Sequence, residues 1–176
     1  MNRLLVLVLG LCLIAVSVSL AEQAAPQADV QQSPKCRHCS MDRGKFSHSR
    51  MLIEYEDGSK VAICSLHCAA VELANTIDRI PVAVRVADHD SKELLDADKA
   101  VWVLGGTKKG VMTAQAKWAF TDLKDAEQFI QGNGGSIVSF DEAIKASYDD
   151  MYQDTKMIRE FRKMKRMIQN DSASKH

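Results

Sequence analysis

The chain has no excess of charge of either sign: Lys and Arg number 23, Asp and Glu 23, and the five histidines are neutral at pH 7. Without a net basic field it is not built to hold nucleic acid, and that class of partner is excluded. Also missing are a glycine-rich nucleotide loop, a local Ser/His/Asp signature and a close carboxylate pair, so no enzymatic activity is expected. Long apolar runs are scarce. The run from Leu4 to Leu20 stands behind Arg3 and ends in the small-x-small triplet Ser19-Leu20-Ala21. That pattern reads as a secretory signal peptide over residues 1–21 rather than a retained anchor, and it implies export to the periplasm or cell envelope. Cys12 lies inside the run behind Leu11, where a lipoprotein signal needs a small residue, so lipidation is not expected.

What is present is concentrated between Cys36 and Cys68, which holds four of the five cysteines. Residues 22–35 are polar, carry two prolines and lack a hydrophobic period, and are read as a flexible linker. The remainder is enough for one core. Met51 to Glu56 and Lys60 to Cys64 read as two strands joined at Asp57-Gly58, and Ser65 as the N-cap of a helix over Leu66 to Asn75. The order recurs 56 residues later. Trp118-Ala-Phe120 answers Ala62-Ile-Cys64, Thr121 answers Ser65 as a cap, Ala126 answers Ala70, and Val101 to Leu104 supplies the earlier strand. The spacing therefore predicts an α+β fold over residues 36–140, two β-β-α repeats sharing one antiparallel sheet. Val82 to Val86 and Ser136 to Phe140 read as further strands. From Asp141 to about Gln169 there is no Gly or Pro, and Ile144, Tyr148, Met151, Thr155, Ile158 and Phe161 recur near helical spacing. That predicts a long C-terminal helix in residues 141–176. Its basic end, Arg159 to Arg166, could meet an acidic partner or a membrane surface.

Cys36-x2-Cys39 lies on one flank of the first hairpin and Cys64-x3-Cys68 on the other, so both pairs can converge on one ion. At the helix start Cys68 sits near free backbone N–H groups, which favours its thiolate. Three readings are open for this set: a soft-metal site, two disulfides in an oxidising compartment, or thiol exchange through Cys36 and Cys39. Four closed thiolates suit structural zinc. Met41, two residues after Cys39, points instead to Cu(I), for which a thioether is a good ligand. His38, His48 and His67 lie nearby and are read as capping or solvent-facing.

The ordered set of Cys39-Ser-Met41, HSRMLIEYEDG, the strand and helix around Cys64, Gly110-Val-Met112 and WAFTDLKDAEQFIQGNGGSIVSFDEAI resembles the NosL family. Those are envelope accessory proteins of nitrous oxide reductase, regarded as Cu(I) chaperones for its copper–sulfur centre. The resemblance implies two β-β-α repeats, shared with the organomercurial lyase group. It also implies copper ligation by the Cys and Met of a Cys-Gly-Met element with a Met from the second unit, here Cys39, Met41 and Met112. The chain departs from the pattern in having Ser40 for the glycine, no lipoprotein cysteine, Cys36 and Cys68 in addition, and a helix after Ile144. The expectation is a copper(I)-binding accessory protein or metallochaperone. Its ligands would be Cys36, Cys39, Met41, Cys64, Cys68 and Met112, and its partner a copper-receiving or copper-donating envelope protein. Zinc is the alternative metal.

Overall fold

The computed structural model describes residues 27–173, so the expected signal peptide and residues 22–26 of the linker lie outside the described residues. From Gln27 onward the linker is not a flexible tether. Ala28–Gln32 forms a short helix (α1), with Val30 buried, because Asp29 finds two buried guanidinium groups to pair with. Polarity alone pointed the other way, since the partners Arg43 and Arg50 lie beyond it in sequence.

Alternation dictates the next element. In Met51–Tyr55 (β1) residues Met51, Ile53 and Tyr55 are buried and the residues between them are not, as a strand with one face on a core requires. Gly58, at φ 78°, closes the turn to Lys60–Ile63 (β2), in register with Met51 opposite Ile63. Leu66–Asn75 (α2) follows, with Ser65 at the cap position but making no side-chain cap bond. Pro81–Ala87 (β3) then returns antiparallel to β1, and Leu94–Asp96 (β4) adds to its far edge.

The second unit repeats this plan. Val101–Leu104 (β5) pairs with Lys117–Phe120 (β6), Leu123–Asn133 (α3) follows, and Ser136–Val138 (β7) returns against β5. Its cap is Asp122, which accepts from the Asp125 N–H, rather than Thr121. Thr121 instead donates its N–H and hydroxyl to Asp88.

The repeat, the mixed α/β class and the long last helix are as expected, but each unit keeps its own sheet: β2-β1-β3-β4 and β6-β5-β7. The physical reason lies in β4. It occupies the edge of β3 that a shared sheet would have used, and the units join instead through side chains and single bonds such as the His89 N–H to the Ala119 carbonyl at 2.7 Å. Trp102, Trp118, Phe120, Met51 and Ile53 form the common core.

Phe140–Ala173 (α4) is a single helix of 34 residues, about 50 Å long at 1.5 Å per residue. Ser139 and Glu142 close its start as a reciprocal capping box. It packs along α2 and across β5, which brings it to the cysteines.

Candidate metal centre

Cys36 opens a tight loop whose backbone is laced to itself and to β2. The Cys36 N–H bonds the Met41 carbonyl, the Ser40 N–H the Cys36 carbonyl, and the Arg37 N–H the Ala62 carbonyl. Ser40 takes φ 61°, a left-handed value that glycine adopts more readily. This is the backbone reason a glycine would suit that place in the Cys-x-Met element. Cys64 follows β2, and Cys68 sits in the first turn of α2.

The four thiols meet. The sulfurs of Cys36, Cys39, Cys64 and Cys68 all lie within 4.8 Å of one another, with Cys39 to Cys64 at 3.4 Å and Cys64 to Cys68 at 3.7 Å. All four are free, the contacts being far longer than the roughly 2.05 Å of a disulfide. Four thiolates held at about 2.3 Å from one ion stand about 3.8 Å apart at tetrahedral angles. The cluster is therefore already close to the size of a thiolate-bound ion. Cys36, Cys64 and Cys68 are buried and Cys39 is half-buried, so the set opens toward solvent on the Cys39 side.

The thiols do not titrate as equals. Hydrogen bonds from Cys39, Cys64 and Cys68 hold the Cys36 thiol far below the ordinary thiol range, against the opposing effect of burial. Cys39 is also lowered; its bond with Cys36 acts upward and is outweighed by those from Cys64 and Cys68. Cys64 and Cys68 are pushed up, first by Cys36 and Cys39 and then by burial. The expectation of a favoured thiolate at Cys68 is therefore corrected. Negative charge is favoured on the Cys36 and Cys39 side, and charge on Cys64 or Cys68 beside it in a buried site is opposed, which outweighs the helix start. A cation removes that opposition, so loading would displace protons.

Met112 and Met41 share one groove, and of the two only Met112 also reaches the cysteine cavity. Met112, at φ 63°, helps line a cavity of about 380 Å³ together with Cys39, Cys68, His38, His67 and Arg159. It also lines an apolar groove of about 420 Å³ with Met41, Met157, Ile158 and Phe161. Met41 is half-buried against the core and reaches the groove rather than the cavity of Cys39 and Cys68. Gly110 must be a glycine for this loop to close. A Cβ there would fall 2.7 Å from the Thr113 methyl and 2.9 Å from the Ala116 Cα.

Several surrounding residues were not legible as part of a site. The side chain of Glu72 on α2 is buried, contacts His38 at 2.7 Å and accepts from the Tyr55 hydroxyl at 3.1 Å, holding the loop between Cys36 and Cys39 against α2. His67 is buried, not solvent-facing, and stands 3.4 Å from Asp154 of α4; burial pushes its pKa down more than Asp154 raises it. Asp154 accepts the Ala114 N–H at 2.9 Å, and Lys117 bonds Asp150 at 2.5 Å, so α4 fixes both ends of the strand-to-loop segment behind Met112. Arg162 donates to the Cys39 carbonyl at 3.1 Å. The signal that could have found Asp154 is a carboxylate at helical spacing from Ala143, Ser147 and Met157, which face the body. His48 is half-buried by His89 and Trp118, and burial, then His89, Lys92 and Lys108, push its pKa down to about 4.

A sequence model of the NosL family matches residues 27–148. Among solved structures, the crystal structure of the copper chaperone NosL from Shewanella denitrificans superposes with a TM-score of 0.53 at 22% identity. It covers 67% of this chain and 96% of that one. No curated protein matches. At that identity the superposition speaks for the fold, while the sequence match spans well over half the chain and takes in all four clustered cysteines. On that match, the chain belongs to the NosL family.

Proposed function

We propose that this protein carries Cu(I) in the cell envelope and hands it to a copper enzyme such as nitrous oxide reductase. Cys36, Cys39, Cys64 and Cys68 hold the ion, and Met41 and Met112 serve exchange at the open side. Export by the segment 1–21 places it there. The observation that carries the reading is the convergence of four free thiols to within 4.8 Å around a face where only Cys39 is partly exposed. A soft, thiol-rich donor set with thioethers at its margin suits Cu(I). A partner's sulfur would enter beside Cys39 as that thiolate leaves, which keeps the ion ligated throughout. The Shewanella denitrificans relative, a copper chaperone, points the same way.

The same closed thiol set also favours a second reading, a structural zinc. The test is anaerobic metal analysis followed by competition with a Cu(I) chelator for wild type, Cys39→Ser, Cys64→Ser and Met41→Leu. Copper carriage predicts strong loss of Cu(I) affinity in both Cys variants and a smaller loss in the Met variant. Retention of zinc against Cu(I), with unfolding on chelation, establishes the structural site instead. Unchanged Cu(I) affinity in Cys64→Ser sinks the four-thiol site.

A further inference from the structure

The last helix continues past the body of the protein. Its inward stripe runs at alternating spacings of four and three residues: Ala143, Ser147 and Asp154 are buried, and Met157 lines the groove. The stripe then goes on through Phe161, Met164 and Ile168, which are 62%, 55% and 62% exposed. Met167 beside them is 57% exposed. At 100° per residue these four fall within one sector of about 120°. Arg159, Arg162, Lys163 and Arg166 occupy the opposite sector, where Arg162 already bonds the Cys39 carbonyl and Arg159 lines the cysteine cavity; Lys156 and Lys165 lie at its flanks, and Glu160, the lone acid of residues 156–168, falls at the apolar side. Every residue from Arg159 to Asn170 is exposed.

We infer that this outer part of α4, residues 156–168, is an arm that lies flat on an anionic lipid surface. Charge complementarity chooses the occupant. A second copy paired stripe to stripe would cover the apolar side chains but leave both basic sectors facing outward without a counter-charge. A protein groove would cover the apolar stripe and leave the basic sector without purpose. A bilayer interface uses both: the apolar side chains sink to the acyl boundary, while long Arg and Lys side chains reach up to the headgroup phosphates. No described helix is long and apolar enough to cross a membrane, so the arm rests on the surface rather than spanning it. Because Met157 and Phe161 belong both to the stripe and to the methionine-lined groove, binding would turn the groove toward the lipid.

The test is co-sedimentation of metal-free protein with phosphatidylcholine vesicles, with and without phosphatidylglycerol, at low and high salt. All variants share one N-terminal form, so any contribution of residues 1–26 cancels. Binding is expected with phosphatidylglycerol and low salt only. Neutralising Lys163, Lys165 and Arg166 to Gln should weaken it roughly a hundredfold, and Met164→Ser with Ile168→Ser roughly tenfold. Cu(I) binding, unchanged in both, shows the fold is kept, and lipid binding by the metal-free protein stands or falls apart from the copper reading. Absence of binding to anionic vesicles, equal binding to neutral ones, or wild-type binding by the Gln variant overturns the proposal; the first would leave an acidic protein as the partner.

Discussion

Asp29 shows how far a single side chain reaches in this protein. Its carboxylate bonds the guanidinium of Arg43 at 2.7 Å and that of Arg50 at 2.9 Å, and both arginines are almost wholly buried. Arg43 in turn donates to the carbonyls of Ile63, Met51 and Ser33, so the pair ties α1 to the hairpin that presents Cys64. Burial raises the Asp29 pKa, but the bonds and charges of Arg50 and Arg43 outweigh it, and the net shift is below 3.8. Asp29→Ala leaves two buried cations short of their counter-ion and should cost about 3–5 kcal/mol in urea unfolding. The sign in acid follows. The stabilisation is complete above pH 3.8 and fades as the pH falls through the lower folded value, so the gap between wild type and variant should close only in that range. A gap already closed at pH 5 would show that the pairing contributes nothing.

At the scale of elements, α4 does more than extend the family domain. The family match ends at residue 148, yet Asp150, Asp154 and Arg162 beyond it are the groups that hold Lys117, Ala114 and the Cys39 carbonyl. Helix and loop therefore form one unit with the metal centre. Asp154→Ala should leave the Ala114 N–H without its acceptor, lower stability by about 1–3 kcal/mol, and raise hydrogen exchange across residues 110–116. Exchange in that segment equal to wild type would mean the loop stands without the helix. The other elements follow simple rules. β1 forms because apolar residues alternate from Met51 to Tyr55, and α3 ends where Gly134 takes φ 72°.

For the molecule as a whole, the metal centre is a crossroads of three elements, the Cys36 loop, the end of β2 and the start of α2, with α4 laid over it. An ion that binds only the folded form stabilises it by mass action. At a thousandfold excess over its dissociation constant the gain is about 4 kcal/mol, which for a domain of this size raises the melting temperature by roughly 10 °C. Cu(I) loading under anaerobic conditions should show that rise in wild type and lose it in Cys64→Ser. A melting temperature indifferent to metal in both would mean the thiols do not act together.

The sequence by itself determined most of the elements, though not α1 or β4, and the ligand pairs. Alternation marked β1, the repeat 56 residues on marked the second unit, the Gly- and Pro-free stretch marked α4, and Cys-x2-Cys with Cys-x3-Cys marked which sulfurs could meet. Those are local properties, written in spacing and in backbone preference. Tertiary structure alone decided that each unit keeps its own sheet, because β4 takes the edge of β3. It also decided that residues 27–35 are ordered, because Arg43 and Arg50 wait for Asp29, and that the Cys68 thiol is pushed up despite its place at a helix start, because the other three thiols and burial act against its charge. Each of these depends on partners distant along the chain, and no pattern of neighbours in a sequence encodes which distant groups will share a buried space.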